Sequence, residues 1–248
     1  MGSINAPFVV FGYGSLIFKP PPHVLSQTSG FLKGYVRRFA QESHDHRGTP
    51  ENPGRVVTLI HKEDWDRFPQ SDAFPDEDIV WGIAYTIDPE YEAEVRDYLD
   101  YREKDGYTME TLHVYTIENG IEQIAIQDAF CYVGRPDNPS FIGSEPLEDL
   151  AQRIWASVGP SGPNKEYLYR LAESVRQLAP ASYDSHLFAL EERLRELDKT
   201  ANVDQLVSHL VVRYYQHEGD VSHLHTSDTQ LEYSTHTLLQ RFCTIAMS

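Results

Sequence analysis

The residue pattern of this chain changes near Pro146, and the change limits the folds that the chain can adopt. Before Pro146 the apolar runs are short, rich in β-branched and aromatic residues, and without a helical period. After it, apolar residues recur at helical spacing, as in Leu147, Leu150 and Ile154. Strands followed by helices are typical of an α+β domain, so we predict helices packed against one side of a curved sheet or small barrel.

The predicted strands are short segments that lie before Pro146. They cover residues 8–13, 55–60, 79–87, 111–117 and 124–133. The last two are separated by Asn119 and Gly120, a pair that favours a tight hairpin turn, so we expect these strands to pair with each other.

The helices are predicted from capping residues and apolar periodicity. Asp88 and Pro89 suit the start of a helix, as N-cap and first-turn residue, and this helix is expected to end within residues 101–104. Apolar stripes predict further helices at 147–155, 168–178 and 187–197, and a separate tail helix around residues 206–214.

The segment 61–78 lies between two predicted strands and has a different composition. It is acidic and contains Pro69 and Pro75. We therefore expect a surface loop there, rather than a strand or a helix.

Charge and cysteine content restrict the partners and the compartment. The 248 residues include 38 acidic and 21 basic ones, a formal net charge of −17. Nucleic acids and anionic membranes bind clustered Lys and Arg, so we expect neither as a partner, and no apolar run is long enough to span a membrane. Cys131 and Cys243 are too few for a disulfide scaffold or a zinc cluster, which favours a reducing compartment. The cytoplasm is the expected location, with the nucleus as an alternative.

The first predicted strand leads into Gly12, Tyr13, Gly14 and Ser15. Glycines at alternate positions leave backbone N–H groups accessible, and such a loop can donate hydrogen bonds to a carbonyl or anionic oxygen. It is not the dinucleotide-binding fingerprint, because Ile17 stands where the third glycine belongs. An ordinary tight turn is the alternative interpretation.

Two further segments contain residues that can take part in chemistry. Glu103 lies at the predicted end of the helix that begins near Asp88, where a partly buried carboxylate can act as a general base. A solvated glutamate paired with Arg102 is the alternative. His44 and His46 could share a face and bind a metal, but no third ligand is evident in the sequence, and we expect a structured loop without a metal.

Three of these stretches together resemble one protein family. The segments "FGYGSLI", "RRFAQESHDHRGTPENPGRVVTLI" and "YLDYREKDGY" are similar, in order and spacing, to the ChaC-type, glutathione-specific γ-glutamylcyclotransferases. The similarity continues through "YVGRPDNPSFIGSEPLEDLAQRI" and "GPSGPNKEYLYRLAESVR". It implies a ChaC-like domain over residues 1–197, with an acidic insertion at 61–78, and a helical extension over 198–248.

The resemblance also implies a fold and a set of site residues. The fold is the γ-glutamylcyclotransferase-like α+β fold, a small mixed β-barrel with flanking helices. The catalytic glutamate of the family matches Glu103, while Arg47 and Tyr132 match further substrate contacts. The loop that holds the γ-glutamyl group matches Val10, Phe11, Gly12, Tyr13, Gly14 and Ser15. Neither a metal nor an organic cofactor is implied.

The activity that the resemblance implies is the cleavage of glutathione to 5-oxoproline and Cys-Gly. The alternatives are a cyclotransferase that acts on other γ-glutamyl compounds and a non-catalytic regulatory protein with the same fold. Glutathione is an anion, so a chain with a net charge of −17 needs local cations to bind it. Arg47 and Arg55 are the first candidates to pair with a substrate carboxylate, and Arg37 and Arg38 are the alternatives. The oligomeric state is left open.

Overall fold

The computed structural model describes residues 7–68, 74, 79–102 and 107–217, with side chains described through residue 209. The chain divides into two compact units, Met1–Arg195 and Glu196–Ser248. Strands and most helices belong to the first unit, so its fold is α+β, as the sequence pattern predicts.

The strands are numbered in chain order. They are β1 (Val9–Gly12), β2 (Val24–Lys33), β3 (Tyr35–Ser43), β4 (Gly54–His61), β5 (Ile79–Ile87), β6 (Tyr107–Glu118), β7 (Ile121–Gly134), β8 (Val158–Gly159) and β9 (Gly162–Pro163). The helices are α1 (Lys62–Trp65), α2 (Glu92–Arg102), α3 (Leu147–Ala156), α4 (Asn164–Leu178) and α5 (Ser185–His217).

Five strands close a barrel in the order β1-β5-β2-β6-β7. Neighbouring strands are antiparallel except at the closure, where β1 runs parallel to β7 and Val10 lies opposite Phe130. The predicted hairpin of β6 and β7 is confirmed, and its turn residues Asn119 and Gly120 have φ angles of 52° and 78°. These angles are typical of a turn whose twist matches that of the strands.

A separate two-stranded sheet, β3-β4, lies beside the barrel. β3 is buried along nearly all of its length, including Arg37 and Arg38, and β4 is similarly buried. The register shifts between Arg38 and Gln41, which marks an irregularity in the ladder. Because this sheet carries buried arginines, its charged groups need partners within the protein.

The segment 61–78 is not a loop throughout, and the prediction was wrong for His61, which ends β4, and for residues 62–65, which form α1. The physical reason is Trp65, which is 7% exposed and packs in a small core with Val36, Ala40 and Ile60. Burial of one large aromatic ring anchors this turn despite the acidic residues around it. Residues 69–73 and 75–78 lie outside the described residues.

The helix predicted at Asp88 is confirmed, with one turn of 3₁₀ geometry before it. The Asp88 carboxylate accepts a hydrogen bond from the Glu90 N–H at 3.0 Å, and the turn Pro89–Tyr91 leads into α2. α2 buries Val95 and Leu99 and ends at Arg102. Its last turn contacts the barrel through Asp100, which accepts a hydrogen bond from Tyr132 of β7.

The helices after Pro146 follow the predicted apolar stripes, with one difference. The stripe at 187–197 and the separate tail helix belong to a single helix, α5. Nothing between them interrupts the helix, because residues 198–205 contain neither Gly nor Pro. No helix in the described part of the chain is both long and apolar enough to cross a bilayer.

Candidate active site

A cavity of about 420 Å³ opens between the end of β1, the β3-β4 sheet, the last turn of α2 and the start of α4. Its wall combines aromatic rings with a few charged groups and a stretch of backbone. The aromatic residues that line it are Phe11, Tyr13, Phe18, Tyr98, Tyr101, Tyr107, Tyr132 and Tyr167. A lining of aromatic rings with a few polar groups is typical of a small-molecule site.

The glycine loop comprises residues 12–15, of which Tyr13, Gly14 and Ser15 line the cavity. β1 ends at Gly12, and a 3₁₀ turn over Ser15–Ile17 follows, in which the Ile17 N–H donates to the Gly14 carbonyl at 3.0 Å. Gly14 and Ser15 are half-buried and line the cavity. A Cβ atom at Gly14 would lie 3.0 Å from Val57 Cγ2, so the absence of a side chain allows the Gly14 backbone to lie close to Val57. Val57 also lines the cavity.

Val10 and Gly12, two of the predicted substrate contacts, are not among the residues that line the cavity. Val10 is fully buried and lies opposite Tyr85 and Phe130 in the barrel. Gly12 is buried, and a Cβ atom there would lie 2.6 Å from the Leu16 Cβ. Gly12 is therefore needed for the close return of the chain after β1.

Arg47, one of the predicted substrate contacts, lines the cavity. Its side chain is buried, its Nη1 donates to the Pro163 carbonyl at 3.0 Å, and its guanidinium lies over the Tyr167 ring. Burial lowers the pKa of Arg47 below its ordinary value, while Tyr167 and Glu166 act in the opposite direction. The Arg47 N–H also donates to the Ser43 hydroxyl at 3.0 Å, which fixes the backbone of the loop.

The other three candidate arginines do not line the cavity. Arg55 binds Glu145 through Nε and Nη2, at 2.8 and 3.2 Å. Arg38 lies over the Trp65 ring, and Arg37 binds Asp184. Arg47 is thus the member of the candidate group that the fold brings to the cavity.

The last turn of α2 also borders the cavity. Tyr98, Tyr101 and Arg102 line the cavity there, and Arg102 Nη2 donates a short hydrogen bond to the Ser15 hydroxyl. Arg102 Nη1 lies 3.3 Å from the Tyr98 hydroxyl. Glu103, the predicted catalytic residue, lies outside the described residues.

The Tyr132 hydroxyl donates to the Asp100 carboxylate at 2.6 Å, and the Tyr132 ring lines the cavity. Tyr132 belongs to β7 and Asp100 to α2, so this hydrogen bond joins the barrel to the helix that borders the site. The hydroxyl is therefore already engaged by the protein.

Local charge at the cavity is mixed rather than uniformly acidic. Lys19, Arg47 and Arg102 lie in its wall together with Glu42 and Asp45. These cations can compensate locally for the net charge of −17 that repels an anionic substrate at longer range.

His46 lines the cavity and its Nδ1 lies 3.3 Å from the Ser161 hydroxyl, whereas His44 Nε2 lies 3.3 Å from Glu42. Within the described residues, no group of three or more His, Cys, Asp and Glu side chains is placed to hold a metal ion.

Comparison with known proteins assigns the family. The family model described as ChaC-like protein matches residues 8–197. The chain belongs to the ChaC-like family. A curated relative from Schizosaccharomyces pombe, named glutathione-specific gamma-glutamylcyclotransferase, is 44% identical over 192 residues, which cover 77% of this chain and 94% of the relative. An Arabidopsis thaliana relative named Gamma-glutamylcyclotransferase 2-3 is 39% identical and covers 76% and 88% of the two chains.

A solved structure supports the same conclusion for the ChaC-like fold. The crystal structure of the yeast γ-glutamylcyclotransferase specific to glutathione matches this chain with a TM-score of 0.68 and 36% identity, over 77% of this chain and 97% of the yeast chain. The predicted γ-glutamylcyclotransferase-like fold, a small β-barrel with flanking helices, is therefore confirmed.

In this ChaC-like chain the fold brings together Phe11, Tyr13, Gly14, Ser15, Arg47 and Tyr132 of the predicted substrate contacts. Sequence reasoning missed Arg102 and Tyr98 as lining residues. Their spacing of four residues on an amphipathic helix puts them on one face, and this face precedes Glu103 directly. That spacing is the signal that could have identified them.

Proposed function

We propose that this chain is a glutathione-specific γ-glutamylcyclotransferase, which cleaves glutathione to 5-oxoproline and Cys-Gly. The observation that carries the proposal is the cavity that Gly14 and Ser15 of the glycine loop line together with Arg47 and Arg102. The name of the Schizosaccharomyces pombe relative, at 44% identity, supports the choice of reaction and substrate.

Glutathione carries its own nucleophile. The α-amine of its γ-glutamyl residue attacks the γ-carbonyl carbon, the new C–N bond closes a five-membered ring, and the amide bond to cysteine breaks. The amine loses a proton and the leaving nitrogen gains one, so the reaction needs no water and no oxidant. An α-amino group with a pKa of about 8 is mostly protonated at neutral pH, and an amide nitrogen leaves poorly unless it is protonated.

One carboxylate can move both protons, and we assign this role to Glu103. Two observations on the described residues support the assignment. Arg102, which directly precedes Glu103 in the chain, lines the cavity, and so does Tyr107, the first described residue after it. General acid–base catalysis by such a group contributes about 10²- to 10⁴-fold in rate.

The glycine loop and Arg47 bind the substrate in this proposal. Gly14 and Ser15 are half-buried and line the cavity. In this proposal their backbone N–H groups hold the γ-glutamyl group in a folded conformation. Arg47, on a different wall, supplies a cation for a substrate carboxylate. We expect the protein to act in the cytoplasm, where its two cysteines stay reduced.

The test incubates the purified chain with reduced glutathione and measures 5-oxoproline and Cys-Gly. Equal amounts of the two products, in proportion to enzyme, are expected. γ-Glutamyl amino acids without a following residue are assayed beside it, because the name of the Arabidopsis relative does not specify glutathione. Faster turnover of those compounds than of glutathione would show that they are the substrates instead. If neither class of compound gives a product, the non-catalytic alternative is favoured.

A further inference from the structure

Arg37 lies directly behind the glycine loop. It belongs to β3, is 2% exposed and does not line the cavity. Its Nη1 donates to the Tyr13 carbonyl at 2.7 Å and to the Trp81 carbonyl at 3.0 Å. Its Nε and Nη2 each lie 2.8 Å from Asp184 Oδ2. The guanidinium therefore joins the loop to the residue that precedes α5.

The contact with the Tyr13 carbonyl fixes the orientation of one peptide group. In a planar trans peptide the C=O of one residue and the N–H of the next point in opposite directions. Because the Tyr13 C=O points at Arg37, the Gly14 N–H points away from Arg37. Gly14 itself lines the cavity, whereas Arg37 does not.

We propose that Arg37 and Asp184 are positioning residues for the cyclotransferase reaction, which hold the Tyr13–Gly14 peptide so that the Gly14 N–H faces the γ-carbonyl oxygen of the substrate. This inference rests on the proposed function. When the α-amine attacks, negative charge develops on that oxygen, and a fixed donor stabilises the charge more than it stabilises the ground state. The pair therefore acts mainly on kcat.

Asp184 is needed because a buried guanidinium without an anion is costly and loses its orientation. Although burial alone raises the pKa of the Asp184 carboxyl, Arg37 and the Leu187 N–H outweigh burial and hold this pKa below its ordinary value. Asp184 Oδ1 also accepts from the Leu187 N–H at 2.9 Å, at the start of α5. Asn at this position keeps an acceptor for that N–H and removes the charge that orients Arg37.

The matched control is Glu191, a second buried carboxylate that pairs with arginines. Glu191 is 3% exposed, binds Arg176 and Arg195, and lies outside the cavity wall. Glu191→Gln therefore removes a buried charge by the same chemical change as Asp184→Asn, without a contact to the loop. Both variants are expected to lower the thermal midpoint.

The kinetic test measures kcat and KM for reduced glutathione, well below the midpoint of each variant. Asp184→Asn is expected to lower kcat about 10- to 100-fold with KM changed less than about threefold, whereas Glu191→Gln keeps kcat within about twofold. Arg37→Lys should behave like Asp184→Asn, because one ammonium group cannot reproduce the planar fork that serves both carbonyls and the carboxylate. If Asp184→Asn does not fold, Arg37→Lys serves as the test variant in its place.

A second readout needs no substrate. In ¹H–¹⁵N spectra of the free protein, the Gly14 amide resonance is expected to move in Asp184→Asn and Arg37→Lys and to stay in place in Glu191→Gln. If wild-type protein does not turn over glutathione, the proposed function fails while this spectrum still tests the geometry. An unchanged Gly14 resonance, or a loss of kcat no greater than that of Glu191→Gln, would overturn the inference.

Discussion

The Arg102 guanidinium donates a hydrogen bond to the Ser15 hydroxyl, and this contact joins the last residue of α2 to the loop that follows β1. The two residues are 87 positions apart in the chain. Because Glu103 follows Arg102, the contact relates the position of the proposed acid–base group to the loop proposed to hold the substrate. The geometry of the proposed site therefore depends on the position of α2 relative to the barrel.

Arg102→Ala is predicted to lower kcat/KM for glutathione about 100-fold, because a displacement of about 1 Å between reacting groups is enough for a loss of this size. Stability should change little, since Arg102 is only half-buried. The measurement is 5-oxoproline release at several glutathione concentrations. Arg96→Ala, on the same helix but against the Phe8 ring and outside the cavity wall, is the control and should keep kcat/KM within about threefold.

Glu103→Gln is predicted to lower kcat by about 10²- to 10⁴-fold, because the amide can neither accept the proton of the α-ammonium nor deliver it to the leaving nitrogen. KM should stay within a few-fold. Glu94→Gln, at an exposed position of α2, is the control with the same chemical change. Undiminished turnover in Glu103→Gln would require a different acid–base residue.

Changing each of the two glycines of the loop to alanine is predicted to affect a different property, stability at Gly12 and activity at Gly14. At Gly12 the new Cβ would lie 2.6 Å from Leu16 Cβ, so Gly12→Ala should destabilise the fold by about 1–3 kcal/mol. At Gly14 the nearest atom is Val57 Cγ2 at 3.0 Å, on the cavity wall, so Gly14→Ala should mainly lower kcat/KM, by about tenfold.

Urea unfolding and steady-state kinetics on both glycine variants separate these effects. Equal losses of stability at the two positions, with equal kinetics, would contradict the assignment of Gly12 to packing and Gly14 to the site.

Much of the fold could be predicted because local residue choice agreed with burial. β5 was predicted over 79–87 and occupies those residues, since it is apolar on both faces. β2 was not predicted, because its first half, which includes the exposed Ser26 and Gln27, carries no apolar alternation. Where packing supplies no apolar signal, the sequence pattern cannot reveal a strand.

The site was less predictable, because residue type does not say which arginine reaches a cavity. Arg37, Arg47 and Arg55 are all buried, and only tertiary packing distinguishes them. Arg55 binds Glu145, which is 90 residues away in the sequence, and Arg37 binds Asp184, which is 147 residues away. No local spacing encodes these pairs.

Arg47 is predicted to bind the glycine carboxylate of glutathione, because it lies on a different element from the loop proposed to hold the γ-glutamyl end. Arg47→Met should raise KM about 10- to 100-fold, the value of a charge-assisted hydrogen bond, with little change in kcat. The matched substrate is glutathione whose glycine carboxylate is esterified. The KM of the wild-type enzyme should rise as much when the ester replaces glutathione as it rises for glutathione when Arg47 is changed to Met. The KM of the variant should be the same for the ester and for glutathione.

The final prediction concerns stability at acidic pH and His186. Burial lowers the pKa of His186 to about 3, with Arg38 and Arg37 acting in the same direction and Asp184 opposing them. The folded protein therefore keeps this ring neutral, and its Nε2 accepts from the Phe39 N–H at 3.2 Å. In the unfolded chain the same ring binds a proton near its ordinary pKa of about 6.5.

Because the folded-state pKa is the lower one, protons favour the unfolded state, and stability falls as the pH drops below about 6.5 toward 3. In the middle of this range His186 contributes a slope of up to about 1.4 kcal/mol per pH unit. His186→Gln keeps an acceptor for the Phe39 N–H but does not titrate, so its unfolding free energy, measured in urea at pH 6.5, 5.5 and 4.5, should fall less steeply than that of wild type. Parallel curves for His186→Gln and wild type would show that this ring does not drive the acid sensitivity.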